Sequence, residues 1–316
     1  MTSSGMACTH GGSTILLDPK SAAGDVNFVS HAHMDHLPDR AGGVVLASES
    51  TRQLAALRGR DLGECVSHVD GLRMYDSGHI LGSTGLLAGD TFYTGDICTR
   101  DRGFLRGARV PRCRTLVTEC TFGLPEFRFP PVAEVCSRVD ELVSMMYARG
   151  VPVILMGYEL GKAQTLSQLF AHWAPMYYHD SVKRINDMHR AAGVPLKPAP
   201  GHTEAQKAGL LDRKPWVMIS PMMPARSRFV AEMRQYGAVT ISFSGWAASG
   251  RFPYSRGADH FMPLSDHCDF DELVGMVERS GAEQVYTIHG FVSEFAEHLR
   301  GLGISARPLE PAGPAG

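Results

Sequence analysis

The segment His-Ala-His-Met-Asp-His, His31–His36, places four potential metal ligands within six residues, directly after a short apolar run. In an extended segment alternate side chains face the same way, so His31 and His33 can bind one metal ion together. Asp35 and His36 then turn toward a second ion. Placing imidazoles and carboxylates close together costs free energy unless a cation or solvent interacts with them. The segment therefore predicts a metal site at a strand end, and a polar surface loop is the alternative.

Three isolated residues complete this set of ligands. His79 lies in DSGHILGST, Asp96 in FYTGD and His289 in VYTIHG, each after a predicted strand. Taken singly, each is typical of a turn residue. Open α/β sheets assemble their sites at the carboxyl ends of strands, so the joint placement predicts that these residues meet the His31–His36 segment.

Apolar, β-branched runs alternate with helical patterns along the whole chain, which is typical of a layered α/β protein. Prolines from Pro125 to Pro131 and the stretch Gly250–Gly257 mark two candidate domain boundaries. Asp269 and Glu272 form a capping pattern that predicts a helix start just after His267. The predicted helices are Val132–Ala148, Lys162–Trp173, Val182–Ala192, Ala225–Tyr236, Asp269–Arg279 and Val292–Leu302.

The composition narrows the class of protein. A chain of 316 residues with 44% hydrophobic residues is long enough for a sizeable core. Seven cysteines without a CxxC pair argue against both a disulfide framework and a thiolate zinc site. No apolar run is long enough to cross a bilayer and no signal pattern begins the chain, so we expect a cytoplasmic protein without a membrane partner.

Several motifs resemble those of one family, the β-CASP nucleases of the metallo-β-lactamase superfamily. The resemblance covers nearly the whole chain and includes TECTFG with Glu119, LSDHCDF with His267, and TIHG with His289. It extends to MGYELGKAQ at Met156–Gln164 and FSGWAASGR at Phe243–Arg251. The motifs are most similar to those of small ligase-associated exonucleases and archaeal mRNA 3′-end processing-like proteins.

This resemblance implies a fold class and a domain plan. The fold would be α/β, a metallo-β-lactamase αββα sandwich carrying an inserted α/β β-CASP domain. The first part of the metallo-β-lactamase domain would span residues 1–121, the inserted domain 122–257 and the second part 258–316. In the family the inserted domain covers the metal site and narrows the entry to a strand of nucleic acid.

The resemblance also implies how the ligands are shared between two divalent ions. One ion would take His31, His33 and His79, the other Asp35, His36 and His289, with Asp96 bridging both. Asp18 matches the family's first acidic position and would orient ligands; a turn residue before Pro19 is the alternative. The histidine-rich set suits zinc, and its carboxylates also accept manganese.

Other residues are candidates for proton transfer and substrate contact. We expect Asp35 to be required for catalysis, and His267, held by Glu119, to protonate the leaving oxygen. Roles in helix capping for His267 and in an ordinary salt bridge for Glu119 are the alternatives. Lys162, Arg251 and Ser265 are candidate substrate contacts.

A basic run offers a further candidate contact with nucleic acid. It covers residues 100–114 and contains six arginines and one acid. Such a run can guide a phosphate backbone or be a solvated loop. The aromatic side chain of Trp246 can stack on bases or pack in a core.

The sequence therefore predicts a two-metal phosphodiester hydrolase, an exonuclease acting on single-stranded nucleic acid. RNA is favoured over DNA because RNA-processing members of the family carry a histidine at the position of His289. A single-strand DNA exonuclease of ligase-associated repair, a thioester or lactone hydrolase, and a non-cleaving RNA-binding subunit are the alternatives. A homodimer is compatible with the sequence, which does not determine the oligomeric state.

Overall fold

The computed structural model describes residues 6–40, 42–249 and 257–309, so the candidate contact Arg251 lies outside the described part. The chain divides into two compact units. Unit 1 comprises the described residues within Met1–Asp101, Leu105–Pro125 and His267–Gly316. Unit 2 comprises those within Arg102–Phe104 and Glu126–Asp266. Sheets and helices occur in both units, which confirms the predicted α/β class.

Unit 1 contains two sheets. The strands of the first sheet are β1 (Met6–His10), β2 (Ser13–Leu17), β3 (Val26–Phe28), β4 (Val44–Leu46) and β5 (Cys65–Val66). They lie side by side in the order β1-β2-β3-β4-β5. The strands of the second sheet are β6 (Leu72–Asp76), β7 (Thr84–Ala88), β8 (Thr91–Tyr93), β9 (Thr115–Cys120), β15 (Gln284–Gly290) and β16 (Ala306–Pro308). Their order across the sheet is β16-β15-β9-β8-β7-β6.

The helices of unit 1 pack on the outer faces of the two sheets. They are α1 (Glu49–Leu57), α7 (Phe270–Ser280) and α8 (Val292–Gly301). Phe28 of β3 and Tyr93 of β8 belong to one apolar cluster, which fills the space between the sheets. A second cluster joins α1 to the outside of the first sheet, and a third joins α7 and α8 to the outside of the second. The layers therefore run helix, sheet, sheet, helices.

Unit 2 is built on one fully parallel sheet of five strands in the order β11-β12-β10-β13-β14. Val153 and Leu155 face one apolar cluster, and Ile154 and Met156 face another, because successive strand residues point to opposite faces. The strands are β10 (Val153–Gly157), β11 (Met176–Tyr178), β12 (Val217–Pro221), β13 (Val239–Phe243) and β14 (His260–Met262). The helices are α2 (Val132–Ala148), α3 (Lys162–Leu169), α4 (Asp180–Ala191), α5 (His202–Lys207) and α6 (Arg228–Gln235), followed by a 3-10 turn at Gly245–Ser249.

The predicted helix start after His267 is confirmed. Asp269 is the N-cap of α7, and its side chain accepts a hydrogen bond from the backbone N–H of Glu272 at 2.9 Å. The Glu272 carboxylate accepts the N–H of Asp269 at 2.8 Å, which completes a capping box. The N-cap of α7 is therefore fixed two residues beyond His267, and the helix begins at Phe270. Among the described residues, no helix combines the length and apolar character needed to span a bilayer.

Candidate metal centre

Four side chains of unit 1 converge on one point. The ligand atoms of His31, His33, His79 and Asp96 all lie within 4.8 Å of one another. His31 follows β3, His79 lies in the loop between β6 and β7, and Asp96 follows β8. The carboxyl ends of these strands thus bring together residues that lie far apart in the sequence, as predicted for this class of sheet.

The spacing of the four ligand atoms fits a tetrahedral zinc site. Nδ1 of His33 lies 3.1 Å from Nε2 of His31 and 3.2 Å from Nε2 of His79. Oδ2 of Asp96 lies 3.4 Å and 3.5 Å from those two Nε2 atoms. Ligands at about 2.1 Å from a tetrahedral ion are themselves about 3.4 Å apart. The residues present therefore fit a divalent ion.

Asp96 also faces a second group of ligands. Its Oδ1 lies 3.5 Å from Nε2 of His36, while its Oδ2 faces the first group. The Nε2 of His36 lies 3.9 Å from Oδ2 of Asp35, and its ring lies 5.5 Å from that of His289. Asp35 and His289 thus lie near His36, whose Nε2 faces Oδ1 of Asp96. This second group is more open, since the side chain of Asp35 is 80% exposed.

A β-bulge sets the position of His289. The pairing of β15 with β9 shifts register between Ile288 and Gly290, and His289 adopts a φ of 50°. That conformation is uncommon for a residue other than glycine and is typical of functional positions held by their surroundings. A Cβ on Gly290 would lie 2.3 Å from the carbonyl oxygen of Cys120, so the Ile-His-Gly sequence needs its glycine.

Asp18 organises the histidines without facing the first group. Its Oδ2 accepts hydrogen bonds from Nδ1 of His36 at 2.7 Å, Oγ of Ser30 at 2.6 Å and the hydroxyl of Tyr93 at 2.7 Å. Ser30 in turn lies 2.9 Å from Nδ1 of His31. Because one ring nitrogen is fixed in each case, the Nε2 atoms of His31 and His36 point toward Asp96.

His267 and Glu119 form a pair next to the first group. Nδ1 of His267 lies 2.8 Å from Oε1 of the fully buried Glu119, and its ring lies 4.6 Å from that of His79. Glu119 also accepts the backbone N–H groups of Ile97 and Thr121 at 3.1 Å and 3.0 Å. The carboxylate is therefore held rigidly, and it orients the imidazole so that Nε2 points away from it.

The concentrated charge shifts the pKa values of the site. Burial opposes protonation of His36, yet the carboxylates of Asp96, Asp18 and Asp35 raise its pKa to about 10. Burial raises the pKa of Asp96, but the neighbouring histidines outweigh it and hold that pKa well below its usual range. The pKa of His79 lies well below 6.5, because of burial first and the neighbouring His267 second. The site therefore favours carboxylates in their charged form, which is the form that binds cations.

The candidate substrate contacts lie in unit 2 where they are described. Lys162 is the first residue of α3 and is 2% exposed, with Nζ 3.2 Å from Oδ2 of Asp266. Ser265 is 1% exposed. Both side chains are thus buried within unit 2, whereas a direct contact with substrate needs accessible polar atoms.

Most arginines of the basic run are engaged within the protein. Arg100 pairs with Glu272, Arg106 with Asp101 and Arg114 with Glu283. Arg102 is 1% exposed, with Nε 3.9 Å from Oδ1 of Asp266. These ion pairs reduce the positive charge that the run offers to a phosphate backbone.

Sequence reasoning missed two residues that shape the centre. Tyr93 and Ser30 hold Asp18, but a strand tyrosine and a serine beside a histidine carry no distinctive pattern. The one available signal was position, because Ser30 directly precedes His31 and Tyr93 lies three residues before Asp96. Their role depends on contacts across the two sheets of unit 1.

The sequence of the chain is similar to those of two proteins with names. No family model matches the sequence. A protein of Opitutus terrae named probable DNA ligase is 31% identical over 299 residues, which are 89% of this chain and 28% of that protein. A protein of Methanocaldococcus jannaschii named transcription termination factor FttA is 26% identical over 221 residues, 53% of this chain and 35% of that protein. The chain thus spans about a third or less of the length of these relatives, whose names both refer to processes on nucleic acids.

A solved structure supports the architecture. The crystal structure of a protein of unknown function from Enterococcus faecalis aligns with a TM-score of 0.61 at 15% identity. The alignment covers 91% of this chain and 80% of that one. The likeness extends over both units and concerns the fold alone.

Proposed function

We propose that the chain is a two-metal phosphodiester hydrolase with a metallo-β-lactamase domain in unit 1 and an inserted β-CASP domain in unit 2. The observation that carries the proposal is the position of Asp96, whose Oδ2 faces His31 and His79 while its Oδ1 faces His36. A carboxylate in that position suits a bridge between two cations. When bound, such a pair supplies a hydroxide near neutral pH and neutralises charge on the phosphoryl oxygens.

The chain's own residues would divide the remaining work. His31, His33, His79 and Asp96 would hold one ion, and Asp35, His36, His289 and Asp96 the other. Asp18 would fix the ring of His36 through its hydrogen bond at Nδ1. The ion would be zinc on the basis of the three-histidine group, with manganese as the alternative.

His267 would donate the proton that the departing sugar oxygen needs. Its Nδ1 hydrogen would be bound by Glu119, which leaves Nε2 to hold the transferable proton. We expect His267→Ala to slow cleavage of an oligonucleotide by about 10²- to 10⁴-fold. Thymidine 5′-(4-nitrophenyl) phosphate has a leaving group that requires no proton, so its hydrolysis should slow far less. Equal losses on both substrates would contradict the role of His267.

The names of the relatives support a nucleic-acid substrate, and we take DNA as the first candidate. The match to the protein named probable DNA ligase extends over 89% of this chain, against 53% for the one named transcription termination factor. A single-strand DNA exonuclease is therefore the substrate assignment that we test first. RNA, favoured in the sequence analysis by His289, is the second candidate and is supported by the termination-factor relative.

One experiment tests the activity and separates the substrates. Single-stranded DNA and RNA of the same sequence, labelled at either end, are incubated with the chain in Zn²⁺, in Mn²⁺ and in EDTA. We expect stepwise shortening that needs the metal and is lost in Asp96→Asn and Asp35→Asn. His68→Asn is the matched control, since the side chain of His68 is 76% exposed and lies between β5 and β6, outside the ligand groups. Cleavage of neither polymer, with hydrolysis of a thioester or lactone instead, would contradict the proposal.

A further inference from the structure

The carboxyl edge of the unit 2 sheet carries two exposed aromatic side chains. Of the large hydrophobic side chains that are exposed in the described residues, two are aromatic: Tyr158, 49% exposed, and Trp246, 36% exposed. Tyr158 directly follows β10, and Trp246 lies in the 3-10 turn after β13. Since β10 and β13 are parallel neighbours, the two aromatics emerge on adjacent loops at the same edge.

Each aromatic side chain contacts another side chain of unit 2 that is itself buried. Nζ of Lys162 lies 5.3 Å from the ring centroid of Tyr158 and is itself fixed by Asp266. The ring of Trp246 contacts the buried ring of Phe127 edge-on, at 5.3 Å and 88°. A side chain that is already ordered loses little conformational entropy when a ligand stacks on it.

A cavity opens at the same edge of the sheet. It has a volume of about 460 Å³ and is lined by the loop after β12, including Met222, Met223 and Arg226, with Ser242 of β13. That volume lies in the range of small-ligand sites. The loop adjoins β10, because the N–H of Met222 donates to the carbonyl of Gly157 at 2.7 Å. Methionine side chains can adapt to flat apolar groups, and an exposed arginine such as Arg226 can bind a phosphate.

We propose that this edge binds the bases of a single-stranded nucleic acid, with Tyr158 and Trp246 as a stacking platform and the adjoining cavity as the seat of one nucleotide. Parallel α/β sheets bind ligands at the carboxyl ends of their strands, and aromatic side chains bind successive bases with little regard to sequence. Among the described residues of unit 2, no group of histidines and acids converges to hold a metal. The edge would thus bind the strand rather than cut it. The inference rests on the proposed function for its choice of ligand.

Binding without cleavage tests this platform independently of hydrolysis. The affinity of the full chain for a fluorescein-labelled 12-nucleotide single-stranded DNA is measured by fluorescence anisotropy in EDTA. Tyr158→Leu should raise the Kd about 5- to 150-fold, the loss expected for one base stack. Tyr158→Phe should retain the wild-type Kd. Met145→Ala is the matched control, because Met145 is an apolar side chain 52% exposed on α2 of the same unit.

An abasic strand identifies the contact as stacking. If every base is removed, the wild-type chain should bind the strand more weakly, and Tyr158→Leu should cause no further loss. Trp246→Leu should behave like Tyr158→Leu; if its circular dichroism shows misfolding, Tyr158→Leu decides. An unchanged Kd in Tyr158→Leu, or an equal loss on the abasic strand, would overturn the platform. A chain that binds strands through Tyr158 yet cleaves none in Zn²⁺ or Mn²⁺ would overturn the proposed function instead.

Discussion

Several side chains of the candidate metal centre each contact more than one polar partner. Asp96 faces His31 and His79 with Oδ2 and His36 with Oδ1. His36 joins Asp18 to Asp96, and Glu119 holds His267 while accepting two backbone N–H groups. Such residues tolerate little change, because removal of one partner leaves a buried polar atom unsatisfied.

Gly290 gives a residue-scale prediction about stability. Gly290→Ala introduces a Cβ 2.3 Å from the carbonyl oxygen of Cys120, at a φ of 85°. Gly303→Ala is the control, because Gly303 has a φ of 81° but no atom within 4 Å of the added Cβ. Urea unfolding should show a loss of about 1–2 kcal/mol for Gly303→Ala, from backbone strain alone. Gly290→Ala should lose about 1–3 kcal/mol more, and equal losses would show that the contact with Cys120 relaxes freely.

The convergence of four candidate metal ligands was predictable from the sequence. His31, His33, His79 and Asp96 meet because β3 of one sheet and β6 and β8 of the other end close together in unit 1. What the sequence could not indicate is which polar side chains are buried. Lys162 has the pattern of an accessible phosphate contact but is 2% exposed, since its burial depends on the packing of unit 2 around Asp266.

At the scale of elements, hydrogen bonds fix the Asp96 loop to the start of α7. The N–H of Cys268 donates to the carbonyl of Ile97 at 2.8 Å, and Arg100 pairs with both acids of the α7 capping box, Glu272 and Asp269. The loop that carries the candidate ligand Asp96 is therefore tied to the segment that carries His267.

This connection predicts a measurable coupling between Arg100 and Glu272. Their side chains are only 16% and 23% exposed, so breaking the pair leaves a poorly solvated charge. Arg100→Gln should lower the free energy of unfolding by about 3 kcal/mol. The double variant Arg100→Gln/Glu272→Gln should lose less than the two single losses combined, with a coupling of about 0.5–3 kcal/mol. Strict additivity in chemical denaturation would contradict the pairing.

Helices were predicted from the sequence where capping residues and hydrophobic periodicity agreed. Short helices were missed. The capping pattern of Asp269 and Glu272 located the start of α7. Helices α1 and α5 were not predicted. Helix α5 has six residues, too few for a helical period to show, and α1 has nine, with a polar N-terminal half.

Two histidines of unit 2, His189 fully buried and His179 half-buried, make the stability of the molecule depend on pH. Burial, together with the stacked His202, lowers the pKa of His179 to about 4, and burial lowers that of His189 to about 4. Unfolded histidine titrates near 6.5, so between these values the unfolded chain binds more protons. The free energy of unfolding should therefore decrease as the pH falls from about 6.5 to about 4. His189→Gln should flatten this slope in urea titrations at several pH values, and an unchanged slope would contradict the assignment.

The division of the molecule into units reflects packing that no sequence pattern encodes. Residues Arg102–Phe104 belong to unit 2 although they lie between two segments of unit 1. Phe104 contacts the ring of His189 at 5.8 Å, and a Cβ on Gly103 would lie 2.5 Å from Oε1 of Gln168. The predicted boundaries at Pro125–Pro131 and Gly250–Gly257 rest on local composition, whereas membership of a unit depends on long-range contacts such as these.

Crystallography with anomalous scattering at the zinc edge directly tests whether unit 1 holds two metal ions. For crystals of the chain grown with Zn²⁺, we predict two anomalous peaks about 3.5–4 Å apart, each in contact with a different oxygen of Asp96. One peak should lie among His31, His33 and His79, and the other next to His36. A single peak, or two peaks that do not share Asp96, would contradict a dinuclear centre.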